Sequence, residues 1–547
     1  MSKKKKKKSW KERQRERQIK QQKAREAYRL QSARGTRKRG REWPMRKIVL
    51  VVSLIVILIG AYLVWHYIFS LEEPPQSGVI YIRADGSVNP STAAILNTGN
   101  TIYTFTADVY DSVVIERNNI VVDGANHKLQ ALGEPKSDGI DLTGRRNVTI
   151  TNLQINGFGN GIHFVNSFDI TLSDNSINEN QYDGIRLENS SNNILNANTI
   201  TDNQFDGIVL YSSSSTTLSG NTVTGNQYDG IHLEFSHDNT ISGNNVVDNK
   251  DDGAHLRNSS DNTLSGNTIT NNNNSGVYLN SAPHNVFSQN NLANNNDGFL
   301  LEYSPYNTLN TNIMAGNDHS GAYFFSASHS IISENNLANN VRGIVFEQSS
   351  NNTFSGNTLV DNQQGVAYYN SPNNRNYYNN FIDNAEQVNT YESPNIWDDG
   401  YPSGGNYWSD YNGTDLQSGP YQNETGNDGI GDTVYFINAS NTDNHPLTGM
   451  FQSFNIALEY NVQSVCSSII SGFQFNGTAI SFNVIGEDGT TGACRIRVPT
   501  ALMNGSYKVF VSGTEVPFTL LPFSNSTHNY LYFTYHHSTL EITITSQ

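Results

Sequence analysis

The sequence predicts an all-β fold: a right-handed parallel β-helix of 22–23-residue coils with Asn ladders, a C-terminal β-sandwich, and an N-terminal transmembrane helix. Three observations predict it. A glycine recurs at Gly139, Gly161, Gly184, Gly207, Gly230, Gly253, Gly276, Gly298, Gly321, Gly343 and Gly365, always 22 or 23 residues after the last. Two asparagine columns keep the same beat, one from Asn175 to Asn379 and the other from Asn180 to Asn384. An uncharged stretch of 22 residues, Ile48 to Phe69, divides a basic N-terminus from an acidic remainder.

Taken in chain order, residues 1–47 hold 21 Lys and Arg against 4 acidic residues, and the rest of the chain holds 14 basic and 46 acidic. The basic tail is expected to stay cytoplasmic, where it contacts anionic lipid. Residues 48–69 are long enough, at ~1.5 Å per residue, to span a hydrocarbon core of ~30 Å. The basic segment is too long for a cleavable signal and no small-residue cleavage site follows. The reading is therefore a single-pass anchor in the cytoplasmic membrane, N-terminus inside and the bulk outside. The acidic ectodomain is unsuited to nucleic acid, whose phosphates need basic contacts. Residues 70–77, with Glu72-Glu73-Pro74-Pro75, form a stalk, and 78–135 an N-terminal cap with the first irregular coils.

Residues 136–395 are expected to be the β-helix, of about eleven coils. Asn, Ser, Thr and Gly fill the units and disfavour helix interiors, which excludes helical repeats of this period. Apolar residues alternate in short runs, as at Ile185/Leu187, Ile208/Leu210 and Ile231/Leu233, with further columns through Leu195, Leu218 and Ile241 and through Ile200, Val223 and Val246. One unit cannot bury these side chains alone, whereas stacked coils bury them as continuous columns. Stacked Asn amides bond the coils above and below, and Asn tolerates the left-handed conformation of a tight corner. From Gly184 onward the glycine precedes the first Asn by 14 residues and the second follows by 5; only the last leg varies, 4 or 3, and is read as a permissive surface turn.

Residues 396–450, rich in Asp, Gly and aromatics, are expected to cap the C-terminal end, and 451–547 to form the sandwich from short alternating strands. Cys466 and Cys494 are the chain's two cysteines, and outside the membrane they are expected to form a disulfide. Asn427, Asp428 and Asp432 offer clustered hard oxygens for a structural Ca²⁺, although an Asx-turn explains the same residues without metal. Sequons recur between Asn147 and Asn525 and permit glycosylation.

The outward positions carry the chemistry. Two residues after the glycine stand His163, Arg186, Val209, His232, His255, Tyr278, Leu300, Tyr323 and Val345; two further on are Glu188, Tyr211, Glu234, Arg257, Asn280, Glu302, Phe325 and Glu347. Asp183, Asp206, Asp229, Asp252 and Asp297 precede the glycine, and Tyr182, Phe205 and Tyr228 precede three of these. The candidate catalytic set is Asp206, Asp229, His232, Glu234, Asp252 and His255. As a saccharide groove, the face would stack aromatics on sugar rings, with carboxylates ~5 or ~10 Å apart as acid and base. The stacked histidines could instead hold a metal. Against both, Asp-Gly is also turn chemistry, and alternating charge keeps a parallel sheet soluble.

The Asn…Asn-Thr-Ile…Asp-Gly-Ile-x-Leu pattern resembles the repeats of the NosD-like family, also described as carbohydrate-binding and sugar-hydrolase (CASH) domains. Gly404-Gly405-Asn406-Tyr407-Trp408-Ser409-Asp410-Tyr411, Asn427-Asp428-Gly429-Ile430-Gly431-Asp432 and Asp443-Asn444-His445-Pro446-Leu447 resemble the segment that follows such helices in archaeal cell-surface proteins. Gly489-Thr490-Thr491-Gly492 before Cys494 is similar to β-rich domains of those proteins. The resemblance implies an archaeal, extracytoplasmic surface protein. The family's name-giving member assists copper-enzyme maturation; with five Met and no Met- or Cys-rich cluster, that role is not carried over. The reading is a surface protein binding glycans or envelope polymers. A polysaccharide hydrolase or lyase is the first alternative, and a structural or adhesion element the second.

Overall fold

The computed structural model describes residues 78–133, 137–457 and 460–546. The basic tail, membrane anchor and stalk expected within 1–77 lie outside the described residues, among which no helix is long and apolar enough to cross a membrane.

Every described element is a strand. Three sheets of 15, 14 and 13 strands run along the solenoid, each almost wholly parallel, and one coil contributes a strand to each. The coil that begins at Gly184 shows the route: Ile185–Glu188 joins the first sheet, Ile194–Asn196 the second and Thr199–Thr201 the third. Register is strict, Ile185 facing Ile208 and Leu195 facing Leu218 in the next coil. The inward members of every strand are sealed in one continuous core from Ile80 to Trp408.

The solenoid has about 13 turns rather than eleven. Glycine counting misses early strands such as Val79–Ile82 and Ser112–Ile115, and the last, Glu386–Tyr391, in which Gln387 stands where the next glycine would fall. The glycines themselves are steric. A Cβ at Gly230 would lie 2.4 Å from Val246 Cγ1, 2.7 Å from the Gly253 carbonyl oxygen and 2.8 Å from Asn249 Nδ2. Their φ angles are not left-handed, so the column reflects close approach of one coil to the next and not turn geometry.

The asparagine ladders are present, with one correction. Asn221 Oδ1 accepts the backbone N–H and Nδ2 of Asn198, both at 3.0 Å, while its own Nδ2 donates to the Leu195 carbonyl at 2.8 Å and Asn244 Oδ1 at 2.9 Å. The left-handed residue is the one before each ladder amide: Ala197, Gly220 and Gly243 have φ of 54°, 62° and 62°. Two further ladders occupy the corner between the first and second sheets. Ser190 Oγ accepts Ser167 N at 3.0 Å, and Asn262 Oδ1 accepts Asn239 N at 2.9 Å.

The last coil is covered by the aromatic segment after residue 396. Asn406 continues the first ladder by accepting Asn379 N at 3.1 Å, and Tyr407–Trp408 pairs in parallel with Asn380–Phe381. Trp408 stacks between Phe381 and Tyr435, at 4.3 and 4.2 Å, and donates through Nε1 to Asp443 at 3.0 Å. Otherwise the sheet ends would present unpaired backbone groups.

Beyond the cap, Met450–Ala457, Tyr460–Cys466, Thr491–Pro499, His528–His536 and Phe518–Leu520 form one antiparallel sheet in that order. Ile469–Phe475, Ala479–Ile485, Leu540–Ser546, Tyr507–Val511 and Thr514–Val516 form a second. Side chains from both share one buried cluster, among them Val462, Ile496, Phe482 and Ile544. Cys466 and Cys494, directly opposite in the first of these sheets, are disulfide-bonded. Arg495 from this sheet donates to the Ser403 carbonyl at 2.9 Å and the Asp428 carbonyl at 3.2 Å, tying it to the cap.

Candidate functional site

The site grows from the short leg before each glycine. Its aspartates form a ladder: Asp183 Oδ1 accepts Asp206 N at 3.1 Å, Asp206 Oδ1 accepts Asp229 N at 2.9 Å, Asp229 Oδ1 accepts Asp252 N at 3.1 Å, and Asp252 Oδ1 accepts Ser275 N at 2.8 Å. One oxygen of each thus supports the next coil. Gln204, Gln227 and Lys250 on this leg are exposed while Asp183, Asp229 and Asp252 are buried, so the leg does lie at the surface but is tied down by the ladder rather than slack.

Parallel register then sets His232 beside His255 and Glu234 beside Arg257. Both imidazoles turn to one carboxylate oxygen: Asp229 Oδ2 lies 3.0 Å from His232 Nδ1 and 3.1 Å from His255 Nδ1. Asp206 Oδ2 is 3.7 Å from His232 Nδ1. Burial disfavours a charge here, but the two histidine hydrogen bonds outweigh it and hold the Asp229 carboxyl well below its ordinary range. His255 Nε2 is buried without a hydrogen-bond partner, and its ring stacks on Tyr278 at 4.6 Å.

The sequence-predicted residues therefore divide. Asp229, His232 and His255 converge on one point, with Asp206 at its margin. Glu234 pairs with Arg257 at 3.2 Å along the rim, and Asp252 stands beside Asp229 and Asp251. Strand alternation places His232 and His255 outward, yet they are 3% and 5% exposed, because carboxylates and stacked rings cover them.

The same polar row continues through residues outside the candidate catalytic set. Tyr278 donates to Glu302 at 2.7 Å, His319 Nδ1 to Asp297 at 2.7 Å, and Tyr323 to Glu347. Burial and the adjacent Glu302 push the Tyr278 phenol far above its usual value. The two tyrosines and their glutamates stand in the columns already read and are paired by an offset of 24 residues, one coil plus a diagonal step, whereas His319 and Asp297 are 22 apart. On one flank Tyr182, Phe205 and Tyr228 follow one another along the axis, Tyr182 edge-on to Phe205 at 5.8 Å and Phe205 stacked on Tyr228 at 5.1 Å. Tyr211 and Phe235 stand on the other flank, partly exposed. The outer face of the first sheet thus carries a buried polar row flanked by partly exposed aromatic rings.

Asn427, Asp428 and Asp432 serve the cap instead of one another. Asp432 accepts Thr414 Oγ1 at 2.8 Å and the backbone N–H of Leu416 and Gln417 at 3.0 and 2.9 Å. Asp428, fully buried, accepts Ile430 N at 3.0 Å and Gln422 Nε2 at 3.2 Å, while Asn427 donates to the Asp415 carbonyl. The Asx-turn reading describes Asp428, which closes on the N–H two residues ahead.

Fold and site together define a parallel β-helix protein with a buried polar row on the outer face of its first sheet. The profile of the family described as "Periplasmic copper-binding protein (NosD)" matches residues 97–296 and 251–413, and the chain belongs to that family. No curated protein matches the chain. Among solved structures, the A-module of the Azotobacter vinelandii mannuronan C-5 epimerase AlgE4 is similar at 15% identity and TM-score 0.36, over 50% of this chain and 86% of that one. A double mutant of the periplasmic alginate epimerase AlgG is similar at 15% identity and TM-score 0.39, over 58% and 84%. The catalytic domain of a GH87 α-1,3-glucanase in complex with tetrasaccharides is similar at 13% identity and TM-score 0.30, over 42% and 52%.

Proposed function

We propose that the chain is a surface recognition scaffold, anchored through residues 48–69 with the β-helix outside the cytoplasmic membrane, and that it binds a neutral glycan lengthwise along the aromatic flank of the first sheet. The observation that carries this reading is the row of rings Tyr182, Phe205 and Tyr228 beside the polar row. Half-buried rings are already ordered, so little conformational entropy is lost when a sugar face packs on them. Carboxylates dominate the face, and its arginines are committed: Arg186 pairs with Asp183 at 3.0 Å and Glu188 at 2.6 Å. A polyanionic glycan would meet like charge, which favours a neutral one.

Hydrolysis is less well supported. A general acid must keep its proton near neutrality, and Asp229 is held in the opposite state. The copper of the family description finds a partial fit. Cu(I) favours thiolate and thioether ligands, but Met314 and Met503 are buried in separate cores and both cysteines are oxidised. The imidazole and carboxylate donors of Asp229, His232 and His255 suit Cu(II), which would supply a charged centre within the polar row.

The test is affinity electrophoresis of the full chain in detergent through gels containing neutral or acidic polysaccharides. A neutral polysaccharide is expected to retard it, with affinity about tenfold weaker after joint Phe205→Ala and Tyr228→Ala substitution, the loss of two stacking contacts. Tyr421→Ala, at a ring 84% exposed elsewhere, should change nothing. Folded protein that no polysaccharide retards would overturn the reading in favour of a structural element.

A further inference from the structure

From the convergence of three side chains on one point we infer that Asp229, His232 and His255 form a site for a single divalent transition-metal ion of borderline softness, Zn²⁺ or Cu²⁺. The ligand atoms are Asp229 Oδ2, His232 Nδ1 and His255 Nδ1.

The spacing of the ligand atoms, all within 4.8 Å of one another, is the first argument. Metal–nitrogen and metal–oxygen bonds of ~2.0–2.2 Å at angles between 90° and tetrahedral place neighbouring ligand atoms about 3.0–3.5 Å apart. The carboxylate oxygen lies 3.0 and 3.1 Å from the two nitrogens, as such a shell requires. The Asp206 oxygen, 3.7 Å from His232 Nδ1, stands at the margin as a fourth donor after a small rotation.

Preorganisation is the second. The ligands come from two adjacent coils whose register is fixed by backbone pairing, His232 opposite His255. Asp229 is also oriented from behind, because its Oδ1 accepts the Asp252 N–H at 3.1 Å. Partners of this kind commonly fix the direction of a metal-binding carboxylate. All three ligand residues are at most 5% exposed, so the ion would meet little competing water.

Charge is the third. Two imidazoles directed at one carboxylate oxygen make an excess of nitrogen donors around a single anion, and Asp206, Asp251 and Asp252 add negative charge nearby. A dication is the species that such a field favours. The donor set of two imidazoles and one carboxylate selects Zn²⁺ or Cu²⁺ over Ca²⁺ or Mg²⁺, which take oxygen ligands. Binding moves the Nδ1 protons to Nε2 or to solvent, so each histidine ligates as neutral imidazole.

The site stands apart from the glycan reading, and its test does not use glycan. The detergent-solubilised full chain, stripped with EDTA, is titrated with Zn²⁺ by calorimetry and with Co²⁺ as a spectroscopic stand-in. One equivalent is expected at submicromolar Kd, with Co²⁺ absorption of a low-coordinate N/O site and a rise in melting temperature on adding Zn²⁺. His255→Gln should weaken Zn²⁺ binding at least tenfold and remove the visible Co²⁺ band. His163→Gln, at the separate His163–Asp138 pair on the same face, should leave both unchanged. His232→Gln repeats the measurement should His255→Gln not fold, circular dichroism being the check. An equivalent retained at unchanged affinity in folded His232→Gln or His255→Gln protein would overturn the assignment, as would the absence of stoichiometric binding to the native chain.

Discussion

At the scale of single residues, two kinds of glycine have opposite physical reasons. Gly230 belongs to the column that repeats before each first-sheet strand, and its missing Cβ makes room for the Val246 methyl and the Gly253 carbonyl. Gly243 precedes a ladder asparagine with φ of 62° and open space where a Cβ would stand, and Ala197 fills the equivalent place two coils earlier at φ 54°. Gly230→Ala should therefore cost about 3 kcal/mol or more through overpacking against backbone. Gly243→Ala should cost only about 1 kcal/mol, the left-handed penalty of an L-residue. Urea melts of the two variants followed by circular dichroism compare them directly; equal midpoints would contradict the steric account. The recurrence of Gly230 and its equivalents is plain in sequence, but its cause is not, because Asp-Gly reads as a turn wherever the coil-to-coil distance is unknown.

At the scale of the element, the ladders decide how firmly each coil is bound to the next. Asn221→Ala leaves the buried Asn198 N–H without its acceptor and the Leu195 carbonyl without its donor. At roughly 1–3 kcal/mol for each orphaned group, the loss should be about 3 kcal/mol. Ser236→Ala removes one acceptor, that of Ser213 N, and Ala282 and Ala327 already occupy the same column. By the same measure of one orphaned group, it should cost about 1 kcal/mol. Because a solenoid unfolds through neighbouring units, hydrogen exchange of the flanking coils is the appropriate measurement. Asn221→Ala should speed exchange around Asn198 and Asn244 far more than Ser236→Ala does around Ser213. The two asparagine ladders are legible in sequence because their columns are unbroken. The other two are not, because membership wavers between Ser and Ala at one and among Asn, Thr and Ser at the other, as at Thr216 and Ser330. The candidate site is legible to the same degree. Register alone brings Asp229, His232 and His255 together, whereas strand alternation assigns the histidines to solvent. Their burial follows from the Asp ladder and the Tyr278 ring, which a column-by-column reading does not combine.

At the scale of the whole described chain, the cap is where solvent conditions act on stability. Asp443 is fully buried, and burial pushes its carboxyl up to about 7 even though Trp408 Nε1 and the Asn406 and His445 N–H groups donate to it. Burial likewise raises Asp415 to about 6. Each keeps a proton in the folded state that the unfolded chain has already lost above its ordinary pKa of 3.8. The folded state binds more protons between about pH 4 and 7, so its stability falls as pH rises through that window. His445, raised by its hydrogen bond to Asp398, adds to the same trend: its contribution is full below 6.5 and is lost as pH climbs through the folded value. Asp398 acts in the opposite sense but at lower pH. Burial opposes its charge, yet His445 and Asn444 bring it down to about 2, so its contribution is lost only as pH falls below 3.8. The cap should therefore be most stable near about pH 4–5 and should loosen towards about pH 8. Trp397 and Trp408 report on it once Trp10, Trp43 and Trp65 are replaced by Phe. Their fluorescence-monitored melting temperature should fall on the order of 5 °C between about pH 5 and pH 8. Asp443→Asn, which keeps an acceptor for Trp408 Nε1 and cannot ionise, should remove most of that fall. A melting temperature that is flat or rises with pH in the native chain, or an unchanged slope in Asp443→Asn, would show that the buried carboxyl does not govern the cap.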